Sequence, residues 1–106
     1  MDDLLWEFLA ESTENLLRIE REVVKLENRP VDADLLSSIF RSIHTMKGTR
    51  GFLGHERLEA VAHATEGMLG ALSTGSLEPS AEVISDVLAT AAVIRGILDH
   101  TRAEQE

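Results

Sequence analysis

The feature that most constrains the fold is a row of apolar residues near the start of the chain. Its members recur at alternate steps of four and three residues: Leu5, Leu9, Leu16, Ile19, Val23 and Leu26, with Ser12 as the polar member that completes the row. This spacing brings one side chain per turn to one face of an α-helix. Arg29-Pro30 ends the pattern, because the residue before a proline avoids the helical conformation. We predict an amphipathic helix over residues 3–28.

Three later segments repeat this kind of pattern and are predicted as helices over residues 32–51, 55–73 and 80–101. Asp32 and Ser80 are favourable N-cap residues, and Thr74-Gly75-Ser76 is a turn sequence. No segment alternates with the period of two that is typical of a strand. Four amphipathic helices with short connections predict an all-α fold, an antiparallel up-down four-helix bundle. The polar tail from Thr101 to Glu106 is expected to fray, and the end of the chain is a possible remnant of a fifth C-terminal helix.

Length and charge exclude several classes of protein. A chain of 106 residues has room for one core, so we expect residues 1–106 to form a single domain. The formal net charge of −9 argues against a nucleic-acid partner, since Lys and Arg bind phosphate backbones. No apolar run approaches the roughly 20 residues that span a bilayer, and the start is acidic where a secretory signal is basic. We expect no membrane insertion and a cytoplasmic location.

One histidine of the second predicted helix has unusual neighbours. Lys47 follows His44 by three residues and Gly48 follows it by four, so on a helix both share the face of the imidazole. The lysine offers a mobile cation that can balance the charge of a phosphoryl group, and the glycine leaves space beside the ring. We take a phosphoryl acceptor as the working hypothesis for His44, although the spacing alone favours an ordinary surface histidine.

A second polar row lies on the third predicted helix, where Glu59, His63, Glu66 and Gly70 are spaced by four, three and four residues. In an antiparallel hairpin this row can face His44. A carboxylate that accepts a hydrogen bond from one ring nitrogen fixes the tautomer and leaves the other nitrogen free to react. We predict that Glu66 orients His44. His63 either donates a hydrogen bond within the same network or covers it.

Metal and nucleotide chemistry have less support in the sequence. Di-iron bundles use two Glu-x-x-His motifs, whereas the order here is His63-x-x-Glu66, and there is no cysteine for a thiolate-bound zinc. The chain has no glycine-rich phosphate loop and no G-x-S-x-G elbow. We therefore expect no metal, no cofactor and no ATP site in this domain.

Two stretches of the chain resemble the signature of histidine phosphotransfer domains, most closely the N-terminal domain of CheA-type chemotaxis kinases. They are Ile39-Phe40-Arg41-Ser42-Ile43-His44-Thr45-Met46-Lys47-Gly48-Thr49-Arg50-Gly51-Phe52-Leu53-Gly54 and the later Leu58…His63-Ala64-Thr65-Glu66…Leu69. The similarity extends from the first helix to about Leu98. Arg50 departs from the pattern, because small residues are common there in the family.

The resemblance implies that His44 is phosphorylated, that Glu66 hydrogen-bonds to it, and that Lys47, Gly48 and His63 surround the site. It implies that a separate kinase domain, which binds ATP and Mg, donates the phosphoryl group, and that receiver domains of response regulators take it onto an aspartate. The chain would then be part of a longer kinase and a substrate of that kinase, so whether the domain itself counts as an enzyme stays open. Two alternatives also stay open: a free-standing phosphorelay intermediate and a helical interaction module that is never phosphorylated.

Overall fold

The computed structural model describes residues 3–47 and 54–106 and contains four helices: α1 (Asp3–Leu26), α2 (Ala33–Thr45), α3 (His55–Thr74) and α4 (Ala81–Gln105). Within these two ranges there is no strand. Each helix packs against the helices before and after it, and α1 closes the ring by packing against α4. This arrangement is the predicted four-helix bundle. No helix in the described ranges is both long and apolar enough to cross a membrane.

The apolar row of α1 forms one wall of the core. All seven of its positions, including Ser12, are buried, as the spacing predicts. The other helices face it with buried aliphatic side chains, among them Leu36, Ile39, Ile43, Leu58, Leu69, Leu72, Ile84, Val87, Ile94 and Leu98. Burying a side chain of this size stabilises the fold by about 1.5–3 kcal/mol, so this shared core holds the helices together.

Two of the helix starts carry the predicted caps. The side chain of Asp32 accepts a hydrogen bond from the backbone N–H of Leu35 at 3.0 Å, and that of Ser80 accepts one from Val83 at 3.1 Å. Each cap satisfies a backbone donor that a helix start leaves unpaired. After the last residue of α3, Gly75 caps the helix with a φ of +81°, a left-handed conformation that favours glycine.

The second helix is shorter than predicted, ending at Thr45 instead of continuing to residue 51. The backbone N–H groups of Met46 and Lys47 donate to the carbonyls of Ile43 and His44, each at 3.1 Å. These bonds reach back three residues instead of four, so they form a tight turn that closes the helix. The predicted end at residue 51 itself lies outside the described ranges.

The last helix is longer than predicted, because residues 102–105 continue α4 instead of fraying. The Thr101 hydroxyl donates to the carbonyl of Ile97 at 2.8 Å, and the Arg102 guanidinium donates to the hydroxyl of Thr13 at 2.7 Å. The second bond ties the end of α4 to α1. In the described part of the chain these residues are therefore not a remnant of a separate fifth helix.

Candidate functional site

Three polar side chains meet between α2 and α3, which are neighbours in the bundle. His44 lies in the last turn of α2, Lys47 follows that helix, and Glu66 lies near the middle of α3. Ala62 precedes Glu66 by four residues and Leu69 follows it by three, so the carboxylate lies within the buried row of α3. Its side chain is only 8% exposed, whereas that of His44 is 65% exposed.

The carboxylate of Glu66 contacts both basic side chains. Its Oε2 lies 2.7 Å from Nδ1 of His44, and its Oε1 lies 2.5 Å from Nζ of Lys47. Oε1 is buried and has no well-aligned hydrogen-bond donor among the described residues, so the contact with Lys47 is an ion pair with poor hydrogen-bond angles. One carboxylate thus links an exposed imidazole to a partly buried ammonium group.

The surroundings of Glu66 favour its ionised form. Burial opposes ionisation and alone would raise the pKa of Glu66. The contacts with Lys47, and then those with His44, outweigh burial, so the net effect is a pKa below the ordinary value. An ionised carboxylate can only accept a hydrogen bond, and therefore Nδ1 of His44 carries the proton that the two groups share.

The second ring nitrogen of His44 remains available. Nε2 forms no hydrogen bond with any of the described residues. Because Nδ1 carries the proton, a neutral ring has its free lone pair on Nε2. The ring of Phe40, one turn earlier on α2, lies nearly parallel to the imidazole, with an angle of 9° and 6.1 Å between the ring centroids. The site therefore presents an oriented, accessible nucleophilic nitrogen.

The predicted site residues differ in how the structure describes them. His44, Lys47 and Glu66 meet, while His63 is exposed on α3 and forms no hydrogen bond within the described ranges. His63 lies one turn nearer the start of α3, on its solvent side. No contact among the described residues therefore supports the predicted role of His63 in the hydrogen-bond network. Gly48 and Arg50 lie outside the described residues.

Two features of the site were absent from the sequence predictions. The first is the ion pair between Lys47 and Glu66, and the second is the parallel stack of Phe40 on His44. The four-residue spacing of Phe40 and His44 was a usable signal, because it brings both rings to one face of α2. Among the described residues, no group of three or more His, Asp or Glu side chains is arranged to hold a metal ion.

We expect Glu66 to make the stability of the fold depend on pH. Its pKa is lower in the folded chain than its ordinary value of 4.5. Its contribution is therefore complete above that value and is lost as the pH falls through the lowered pKa of the folded state. Urea unfolding from about pH 7 to about pH 3 should show a steeper loss of stability in the parent than in Glu66→Gln. Glu56→Gln, an exposed control on the same helix, should follow the parent; a parallel fall in all three proteins would contradict the prediction.

Comparison of the sequence with known proteins shows the family to which the chain is similar. The family model for the Hpt domain matches residues 3–104. The chemotaxis protein CheA of Halobacterium salinarum is 31% identical over 103 residues, a match that covers 97% of this chain and 15% of that protein. The sensor histidine kinase CheAY of Helicobacter pylori is 33% identical over 101 residues, which cover 92% of this chain and 13% of that protein. The chain therefore corresponds to a small part of these relatives.

A solved structure supports the architecture alone. The crystal structure of a computationally redesigned four-helix bundle aligns with a TM-score of 0.85 and 18% sequence identity, covering 95% of this chain and 99% of the other. Identity this low is evidence for the fold and not for an activity. The family match, by contrast, covers α1 to α3 and all but the last residue of α4, and it includes His44, Lys47 and Glu66. The chain belongs to the Hpt domain family and is related to the chemotaxis proteins CheA.

Proposed function

We propose that this domain is the phosphocarrier of a chemotaxis-type histidine kinase and that His44 is its phosphoryl acceptor. The observation that carries the proposal is the 2.7 Å contact between Nδ1 of His44 and the buried carboxylate of Glu66. Burying a carboxylate is costly unless it is paired. An ordinary surface histidine needs no such partner, whereas a nucleophilic histidine needs a fixed tautomer and one free nitrogen.

The uptake step follows from this tautomer. The Nε2 lone pair attacks the γ-phosphorus of ATP, which a separate kinase domain holds together with Mg²⁺. A phosphorus–nitrogen bond forms, the bond to the bridging oxygen of ADP breaks, and its electron pair leaves with ADP. The phosphorylated ring carries a positive charge, and Glu66 balances it through the proton on Nδ1. Because phosphoryl transfer has a loose transition state, alignment and charge compensation supply most of the catalysis.

In the donation step the phosphoryl group leaves Nε2 and the electron pair moves in the opposite direction. A carboxylate oxygen of an aspartate in a response regulator attacks the phosphorus, the phosphorus–nitrogen bond breaks, and its electron pair returns to Nε2. The ring is again neutral with its proton on Nδ1, so no further proton transfer is required. Glu66 therefore serves both directions with one geometry.

Lys47 is proposed to share its charge with the phosphoryl group. Its ammonium lies 2.5 Å from Glu66 in the unphosphorylated site, and its flexible stem allows it to move toward Nε2 once a phosphate oxygen is present. Gly48 is proposed to leave space for that group. His63 is proposed to support the same network, either by donating a hydrogen bond within it or by covering it.

The partners and the location follow from this function. We infer that the kinase ATP-binding domain and the receiver domains of response regulators contact the His44 face, and that neither nucleic acid nor a membrane is a partner. The domain is then a substrate of the kinase, without an ATP site of its own. A cytoplasmic location suits these partners, since ATP is supplied there.

Phosphorus NMR after incubation with ATP and the ATP-binding region of a chemotaxis kinase tests the proposal. We expect one new phosphoramidate resonance, labile in acid and stable in base, at one phosphoryl group per chain. An acid-stable phosphoester would contradict it. No signal from a folded protein would favour the helical interaction module, and uptake only from a phosphorylated regulator would favour the free-standing intermediate.

A further inference from the structure

A polar groove of about 220 Å³ runs between α1 and α2, next to the reactive histidine. Six side chains line it: Asn15, Arg18, Ser38, Arg41, Ser42 and Thr45. Thr45 directly follows His44 in the chain, and Arg41 precedes it by one helical turn. The groove therefore opens beside the site where a phosphoryl group would be exchanged.

The two arginines of this groove are unusual in an acidic chain. Neither Arg18 nor Arg41 forms an ion pair with any acid of the described ranges, although the chain has 19 acids and 10 bases. The remaining contact of Arg18 is a long one, 3.5 Å from Nη1 to Oδ1 of Asn15. By contrast, Arg95 binds Glu20 at two points, at 3.0 and 2.6 Å. Two guanidinium groups thus remain available for an external anion.

One hydroxyl group, that of Ser42, adds a donor to the same groove. Ser42 is only 4% exposed, and its hydroxyl forms no hydrogen bond within the described part of the chain. Ser42 lines the groove, and because its hydroxyl has no internal partner it can donate to an oxyanion bound there. The Ser38 hydroxyl instead donates to Glu22 at 2.9 Å, which brings a carboxylate close to that side of the groove. The Thr45 hydroxyl likewise donates to the backbone carbonyl of Arg41 at 2.8 Å, so an acidic ligand is directed toward the Arg41 guanidinium and the Ser42 hydroxyl, on the side nearer His44.

We propose that this groove docks an acidic segment of the response regulator, next to the aspartate that accepts the phosphoryl group. The inference rests on the proposed function of His44. Guanidinium groups match carboxylates geometrically, and the proposed acceptor on the regulator is itself a carboxylate, so an acidic surface around it would complement the two arginines.

The regulator fits the groove better than the kinase domain does. The matched relatives are several times longer than this chain, which corresponds to 15% and 13% of two of them. A kinase domain in the same polypeptide reaches His44 at a high effective concentration and gains little from a charged docking groove. A separate regulator must arrive by diffusion, and unpaired positive charges beside the target accelerate and orient its approach.

Transfer kinetics from pre-phosphorylated protein test the groove. His44 is phosphorylated with phosphoramidate, a small donor that needs no docking, and the purified receiver domain of a response regulator is then added at increasing concentration. For Arg18→Gln/Arg41→Gln we expect kcat/KM for the transfer to fall about three- to tenfold through a higher KM, with kcat unchanged. The loss should shrink as the salt concentration rises.

The matched control is Arg21→Gln/Arg57→Gln. It removes the same charge from two exposed arginines that line no part of the groove and form no ion pair within the described ranges. An equal fall in both double variants would show an effect of net charge alone and overturn the proposal. Unchanged transfer, or a defect confined to phosphorylation by the kinase domain, would also overturn it.

Binding of the regulator to the groove can be measured separately from phosphoryl transfer. If neither phosphoramidate nor ATP with the ATP-binding region of a chemotaxis kinase phosphorylates His44 of the parent, the phosphocarrier role fails. Titration of the unphosphorylated domain with the same receiver domain still tests the groove, and we expect the Arg18→Gln/Arg41→Gln variant to bind about three- to tenfold more weakly than the control. Equal affinities of the Arg18→Gln/Arg41→Gln variant and the control variant for the receiver domain would overturn the proposal.

Discussion

Replacing His44 with glutamine will abolish phosphoryl uptake and leave the bundle folded. The amide nitrogen of glutamine has no lone pair free for attack, so the acceptor atom is lost although the side chain remains polar. The ring of His44 is 65% exposed and lies outside the buried core, and Lys47 still pairs with Glu66 in the variant, so the bundle should stay folded. Labelling with radioactive ATP and a kinase ATP-binding region measures uptake, and thermal unfolding followed by circular dichroism checks the fold.

His63→Gln provides the matched control for this prediction. It makes the same change on the adjacent helix, at an exposed histidine that forms no hydrogen bond with a described residue. We expect this variant to accept one phosphoryl group per chain, with at most a slower rate. Label on the His44→Gln protein at the level of the parent would refute the assignment of the acceptor.

The bundle and the contact between His44 and Glu66 were predictable because both depend on periodic spacing. The row from Leu5 to Leu26 fixed the buried face of α1, including a serine that composition alone would assign to the surface. The polar row of α3 likewise indicated that Glu66 could face His44, since antiparallel helices bring such rows together. Periodicity identifies which side chains share a face, and a helical hairpin determines which faces meet.

Contacts made by flexible side chains and by chain ends were not predictable in this way. The ion pair of Lys47 with Glu66 depends on a turn that ends α2 and on a lysine stem with many rotamers. The length of α4 depends on Arg102, whose partner Thr13 is 89 residues away in the sequence. The burial of Glu66 was not predicted from its polar row on the third helix, because the burial of a charge depends on partners that another segment supplies.

Replacing Glu66 with alanine will slow the phosphorylation of His44 by about 10- to 100-fold, the usual effect of removing a group that orients a reactive ligand. Without the carboxylate, Nδ1 loses its hydrogen-bond acceptor, and the ring also populates the tautomer with its proton on Nε2. That tautomer has no lone pair at the reacting nitrogen. Single-turnover labelling with saturating kinase domain and ATP measures the change.

Two further variants separate orientation from stability and from charge. Glu56→Ala removes an exposed carboxylate from the same helix and should label at the parental rate. Glu66→Gln keeps an acceptor oxygen for Nδ1 but cannot balance the charge of the phosphorylated ring, so its rate should lie between those of the parent and Glu66→Ala. Nitrogen NMR of the His44 ring gives the tautomer directly. If Glu66→Ala keeps the proton on Nδ1 and still labels slowly, the carboxylate acts through charge, and its orienting role is wrong.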